Sequence, residues 1–143
     1  MKKVIAALSL FILLGVASPQ VFAQCDTEKY TEACIPKLPE GFTYLKSYKV
    51  DGDGGAKQKV EYSYVFTKGA QYMINVCTEG NGADGIVVTL YDSNRNKVAS
   101  SLFNGQFLTA LTYPCNTTGI YYITYTFEGS KANCGGSVLG FKR

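Results

Sequence analysis

The chain has 143 residues, 46% hydrophobic, 13% aromatic and 17% charged, with five cysteines, no histidine, no tryptophan and a formal net charge of +3. Without histidine, the imidazole base of the usual serine and cysteine hydrolases is excluded, as are the imidazole ligands of most catalytic zinc sites. Paired carboxylates, a lysine base or bare thiol chemistry remain, and no constellation of them is visible, so the sequence reads as non-catalytic.

Residues 1–23 read as a secretory signal peptide. Lys2 and Lys3 are its charged start, Val4 to Val16 its apolar run, and Val21-Phe22-Ala23 its cleavage site. The run has thirteen residues, too few for a membrane span, which takes about 20. Cleavage near Ala23 leaves a 120-residue chain of net charge +1, with hydrophobic residues reduced to about 42%. The basicity is thus a targeting feature, and nothing electrostatic points to nucleic acid or an anionic membrane. Residues 24–143 are expected to form one domain, exported to the periplasm or beyond.

In the mature chain, residues 24–41 form a helical and loop extension. Asp26 is a candidate cap for a helix of about two turns that stops at Cys34, before Pro36. Short runs rich in tyrosine, valine, isoleucine and threonine follow: Phe42 to Val50, Val60 to Phe66, Tyr72 to Val76, Ile86 to Tyr91, Val98 to Phe103, Phe107 to Tyr113, Ile120 to Phe127 and Val138 to Phe141. Val60, Tyr62, Tyr64 and Phe66 alternate with Glu61 and Ser63, and Tyr72, Ile74 and Val76 alternate with Asn75. Lys68-Gly69-Ala70 and Asp92 to Asn96 have the composition of hairpin connections. About eight strands at short, regular spacing predict an all-β antiparallel β-sandwich behind a short N-terminal helix.

A longer pattern runs through these strands. It begins with Tyr64-Val65-Phe66, Lys68-Gly69, Tyr72, Ile74 and Val76. Val88, Leu90-Tyr91-Asp92-Ser93 and Val98-Ala99-Ser100 follow, then Thr118-Gly119-Ile120-Tyr121-Tyr122-Ile123. In order and spacing this resembles the bacterial pre-peptidase C-terminal domain over about residues 60–127. The resemblance implies a jelly-roll-like sandwich. It also implies the role of a module appended to secreted peptidases or other exported enzymes, which assists secretion or binds polymers such as collagen or chitin.

Five cysteines in an exported chain are read as disulfides. Cys25 and Cys34 flank the helical segment closely enough to pair, and such a loop would contribute roughly 3 kcal/mol. The resemblance implies that the strand ending at Cys77 and the loop carrying Cys134 lie at one end, which pairs Cys77 with Cys134. Cys115 is then the spare thiol, read as a buried cysteine. No two cysteines have metal-ligand spacing.

Asp51-Gly52-Asp53-Gly54-Gly55 begins like a calcium loop. Ala56 and Tyr62 stand where an EF-hand requires its glycine and bidentate glutamate. A looser calcium site would join Asp51 and Asp53 to Glu79 or Asp84; otherwise no cofactor is implied. Of the tyrosines, alternation assigns Tyr62, Tyr64, Tyr72 and Tyr122 to the core, and makes Tyr44, Tyr48, Tyr121 and Tyr125 the candidates for an exposed binding face. Asn116-Thr117-Thr118 matches a glycosylation sequon and is read as a turn. The expected function is a secreted binding or structural module for a polymer or a secreted or cell-surface protein. The alternatives are a thiol-active or carboxylate-based enzyme, using Cys115 or the Asp51 and Asp53 pair, and a partner subunit or inhibitor of another secreted protein.

Overall fold

A computed structural model describes residues 24–143, so the expected signal peptide lies outside the described residues. One helix, α1 (Thr27–Cys34), precedes ten strands. In chain order these are β1 (Thr43–Asp51), β2 (Lys59–Phe66), β3 (Gln71–Cys77), β4 (Ile86–Tyr91), β5 (Lys97–Ser100), β6 (Leu102–Phe103), β7 (Gln106–Phe107), β8 (Ala110–Pro114), β9 (Gly119–Phe127) and β10 (Cys134–Lys142). One sheet has the order β1-β10-β3-β8, the other β2-β9-β4-β5, and β6 and β7 form a separate ribbon. Every pairing is antiparallel. Successive strands switch sheets except at the β4–β5 hairpin, which is the winding of a jelly roll.

The facing sides of the two sheets make the core. Tyr48, Val50, Tyr72, Ile74, Val76, Leu111 and Leu139 come from the first sheet, and Phe66, Ile86, Val88, Leu90, Tyr121, Ile123 and Tyr125 from the second. Phe66 stacks on Tyr72 at 3.8 Å between centroids and on Tyr121 at 4.8 Å, which ties β2, β3 and β9 together with rigid aromatic area.

Helix α1 starts where the sequence places it, with the Asp26 carboxylate accepting from Lys29 N. It lies on the outer side of the first sheet, against β10, β1 and β3. Two disulfides hold it there: Cys25–Cys134 and Cys34–Cys77. The four bridged cysteines are those expected, but the pairing is not. A Cys25–Cys34 bridge would close the helix on itself, whereas both of its ends are fastened to the sheet. Cys77 points outward from β3 toward Cys34, so it faces the helix rather than the neighbouring strand's Cys134.

The glycines of β10 explain how the helix sits so close. A Cβ at Gly136 would stand 2.5 Å from Thr31 N and 2.8 Å from the Tyr30 carbonyl carbon, and one at Gly140 would meet Leu38 at 2.9 Å. Read from sequence, the last strand begins at Val138 and Cys134 lies in a loop; the strand in fact begins at Cys134. The runs Val98 to Phe103 and Phe107 to Tyr113 are also each interrupted. Ser101 is fully buried and its hydroxyl accepts from Val88 N, so the chain leaves the second sheet there and crosses to the first.

Candidate functional site

With helix α1 covering the outer side of one sheet, the exposed apolar surface concentrates elsewhere. The crossing from β5 to β8 is made by the β6–β7 ribbon, anchored at its base by Ser101 N donating to Val88 O (2.9 Å), Leu108 N to Ser101 O (2.9 Å) and Val76 N to Thr109 O (2.8 Å). Leu102 pairs with Phe107 and Phe103 with Gln106. The two residues between them, Asn104 and Gly105, both have positive φ (49° and 75°), as a tight hairpin turn requires. Leu102, Phe103, Phe107 and Leu108 are 38%, 63%, 42% and 41% exposed.

Strand alternation puts Leu102 and Phe107 on one face of this ribbon and Phe103 and Leu108 on the other, so both faces carry partly exposed apolar side chains. No Asp, Glu, Lys or Arg occurs between Lys97 and Glu128. The ribbon is thus an uncharged, partly exposed apolar projection that is hydrogen-bonded at its base.

The outer side of the second sheet has a different character. Arg95, in the turn after β4, lies 3.5 Å over the Tyr122 ring and donates to both Glu61 oxygens at 2.8 and 2.9 Å, while Thr124 Oγ1 donates to Glu61 at 2.9 Å. Partial burial pushes the Glu61 carboxyl up, but the Arg95 and Thr124 hydrogen bonds outweigh it and hold the group below the usual carboxylate range. Beyond this clasp, toward the β2–β3 turn, Ser63, Tyr64, Val65 and Ile120 line a shallow depression of about 420 Å³.

The tyrosine face expected from the sequence does not exist. Tyr48, Tyr121 and Tyr125 are buried in the core, and Tyr44 alone of the four is exposed. In β1 the register slips between Tyr44 and Lys46. Tyr44 therefore lies opposite Gly140, on the helix side, while Tyr48 lies opposite Ser137, on the core side; a bulge reverses the phase that simple alternation carries through. In β9 the apolar residues fall on both phases, and Ile123 takes Tyr121 and Tyr125 inward with it, leaving Tyr122 outside under Arg95. Burial raises the Tyr48 and Tyr125 hydroxyls above the ordinary range; Tyr125 donates to Ser137 Oγ at 2.6 Å, while Tyr48 Oη has no partner.

The carboxylates considered for calcium do not converge, and among the described residues no three of His, Cys, Asp and Glu lie together. Asp51 accepts from Asp53 N within its own turn. Glu79 takes the Tyr30 hydroxyl at 2.7 Å and Lys29 Nζ at 3.2 Å, hydrogen bonds that lower its pKa. Asp84 accepts from Ser130 Oγ, Lys131 N and Ala132 N. These donors outweigh the opposing effect of burial and lower its pKa. The acidic residues thus brace the helix and the loops. Cys115 is the free thiol and is buried, donating to Thr117 O at 3.2 Å beside Tyr121 Oη at 3.7 Å.

No family model and no curated protein matches the chain. The two disulfides fit an oxidising compartment, and among the described residues no helix is long and apolar enough to cross a membrane. The hairpin is the feature the sequence reading missed. Its signal was available in Leu102-Phe103-Asn104-Gly105-Gln106-Phe107-Leu108, two apolar pairs around an Asn-Gly turn, inside a long stretch without charge.

Proposed function

We propose that this chain is an exported, non-catalytic binding module that engages a secreted or cell-surface partner through the β6–β7 hairpin. The observation that carries this reading is the hairpin itself: four large apolar side chains left between 38% and 63% exposed on a ribbon whose base is hydrogen-bonded into both sheets. Exposing them costs stability, since burying each such side chain in full is worth roughly 1.5–3 kcal/mol. A partner that covers them recovers that energy. Holding the ribbon by its base reduces the ordering entropy that binding would otherwise cost.

The jelly-roll winding supports the further proposal that the chain is a relative of the pre-peptidase C-terminal domains. Retention on secreted and cell-surface protein fractions, on collagen and on insoluble polysaccharide tests the reading. The expected result is specific retention on a protein surface; failure to be retained on any of them overturns it. A polymer-binding role by tyrosine stacking is the less supported form, because the core holds the tyrosines that would make the platform.

A further inference from the structure

The four sheet edges of the jelly roll are not equally protected. Edge strand β1 is interrupted by its bulge and carries Lys46 and Lys49. β5 has four residues and a register shift opposite it, and β8 has five and ends at Pro114. Bulges, short length, lysine and proline are the devices by which edges are kept from pairing with other chains. β2 lacks most of them. It runs eight residues with an unbroken register against β9, contains no proline, and has its two charged residues, Lys59 and Glu61, at one end. It pairs with β9 alone, so alternate residues aim their N–H and C=O groups away from the sheet.

The depression described above lies along this same edge. Ser63 and Val65 belong to the outer side of the sheet, Tyr64 to the inner side, and all three line it with Ile120. Val65 and its cross-strand partner Ile120 are 56% and 48% exposed.

We infer that a second copy of this chain adds its β2 to this edge, antiparallel about a two-fold axis, continuing the sheet from one copy into the other. Strand alternation restricts the register, because opposed residues must share a face. Pairing Ser63 with Ser63 places Val65 against Glu61 of the second copy, and pairing Tyr62 with Tyr62 places it against Lys59. Pairing Tyr64 with Tyr64 sets Val65 against the small Ser63 of the second copy, keeps residues 62–66 in the ladder, and brings the two depressions together. In that register Lys59 and Glu61 face Gly69 and Thr67, so no like charges oppose each other. The copies carry little net charge once residues 1–23 are removed, so repulsion between them is small. This dimer is independent of the hairpin proposal.

Sedimentation velocity on the mature chain, with concentrations raised to about 1 mM where weak association is visible, is expected to show a concentration-dependent dimer. Val65→Lys, a gatekeeper charge on an exposed side chain, is expected to leave a folded monomer. As a milder probe, chains with Ser63→Cys are mixed with chains with Val65→Cys, and remaining thiols are alkylated before denaturation. A disulfide is then expected between the two variants in preference to either with itself. A wild-type chain that stays monomeric throughout, a dimer indifferent to Val65→Lys, or preferential Ser63→Cys self-pairing would each overturn the inference.

Discussion

Replacing Gly136 with alanine tests the way the helix is fastened to the sheet. The added Cβ would fall 2.5 Å from Thr31 N, 2.8 Å from the Tyr30 carbonyl carbon and 2.9 Å from Thr31 Cγ2. Two of these are backbone atoms, and the helix that carries them is bridged to the sheet at Cys25 and at Cys34, so relief by a side-chain rotation is not available. Overpacking of this kind costs about 1–3 kcal/mol, and the fastened backbone puts Gly136→Ala near the upper end. For a chain of this size that lowers Tm by about 8–12 °C. Gly80→Ala, with no atom within 4 Å of its new Cβ, is the control and should move Tm little. In a background with Cys25 and Cys134 both replaced by serine, the freed end of the helix can shift, so the penalty for Gly136→Ala should shrink and the two changes should be non-additive. Thermal unfolding followed by circular dichroism reads the wild type and all four variants. A Gly136→Ala protein within about 0.5 kcal/mol of wild type, the size of an ordinary surface change, would refute the close approach of helix and strand.

Peptide mapping without reduction should recover Cys25 with Cys134 and Cys34 with Cys77. Removing the second bridge as Cys34→Ser with Cys77→Ser should cost about 4 kcal/mol on the chain-entropy estimate for its loop, measured by urea unfolding. Tyr48→Phe removes a buried hydroxyl with no partner and should be neutral or stabilising by up to about 1 kcal/mol. Asp84→Asn should cost about 1–2 kcal/mol at neutral pH, discounted for partial exposure. Because the Asp84 pKa is lowered in the folded chain, the unfolded state binds the proton more tightly. Its contribution is therefore present above the ordinary aspartate range near pH ~4 and is lost as pH falls through the folded pKa; urea unfolding should show that acid limb flattened in Asp84→Asn.

The legible part of this molecule was the part governed by alternation and punctuation. Strand β4 is legible to the residue and β2 and β3 to within one at each end, because turn residues bound each run and, in β2 and β3, most of the large apolar residues share one phase. The Asp26 cap was legible for the same reason, since its hydrogen bond is local. Three things depended on contacts far apart in sequence. The β1 bulge is set by pairing with β10, and it turned Tyr44 and Tyr48 to opposite sides. The phase of β9 was ambiguous in Ile120-Tyr121-Tyr122-Ile123, where apolar residues fall on both faces, and only packing against Phe66 and the rest of the core decides it. Connectivity of the cysteines follows from the helix lying across β10, which Gly136 and Gly140 permit but do not announce. The hairpin is not legible because residues 98–113 read as two continuous strands; a buried Ser101 hydrogen-bonded to Val88 N breaks the first of them.

Binding through the hairpin is tested most directly by changing its two aromatic residues together. Phe103→Ser with Phe107→Ser alters one exposed side chain on each face of the ribbon and touches no disulfide or core contact. The protein should therefore keep its circular dichroism spectrum and Tm. Losing about half of each ring's burial energy predicts a weakening of at least roughly 10-fold in the retained fraction on whichever surface holds the wild type. A folded double variant retained as well as wild type would contradict the account.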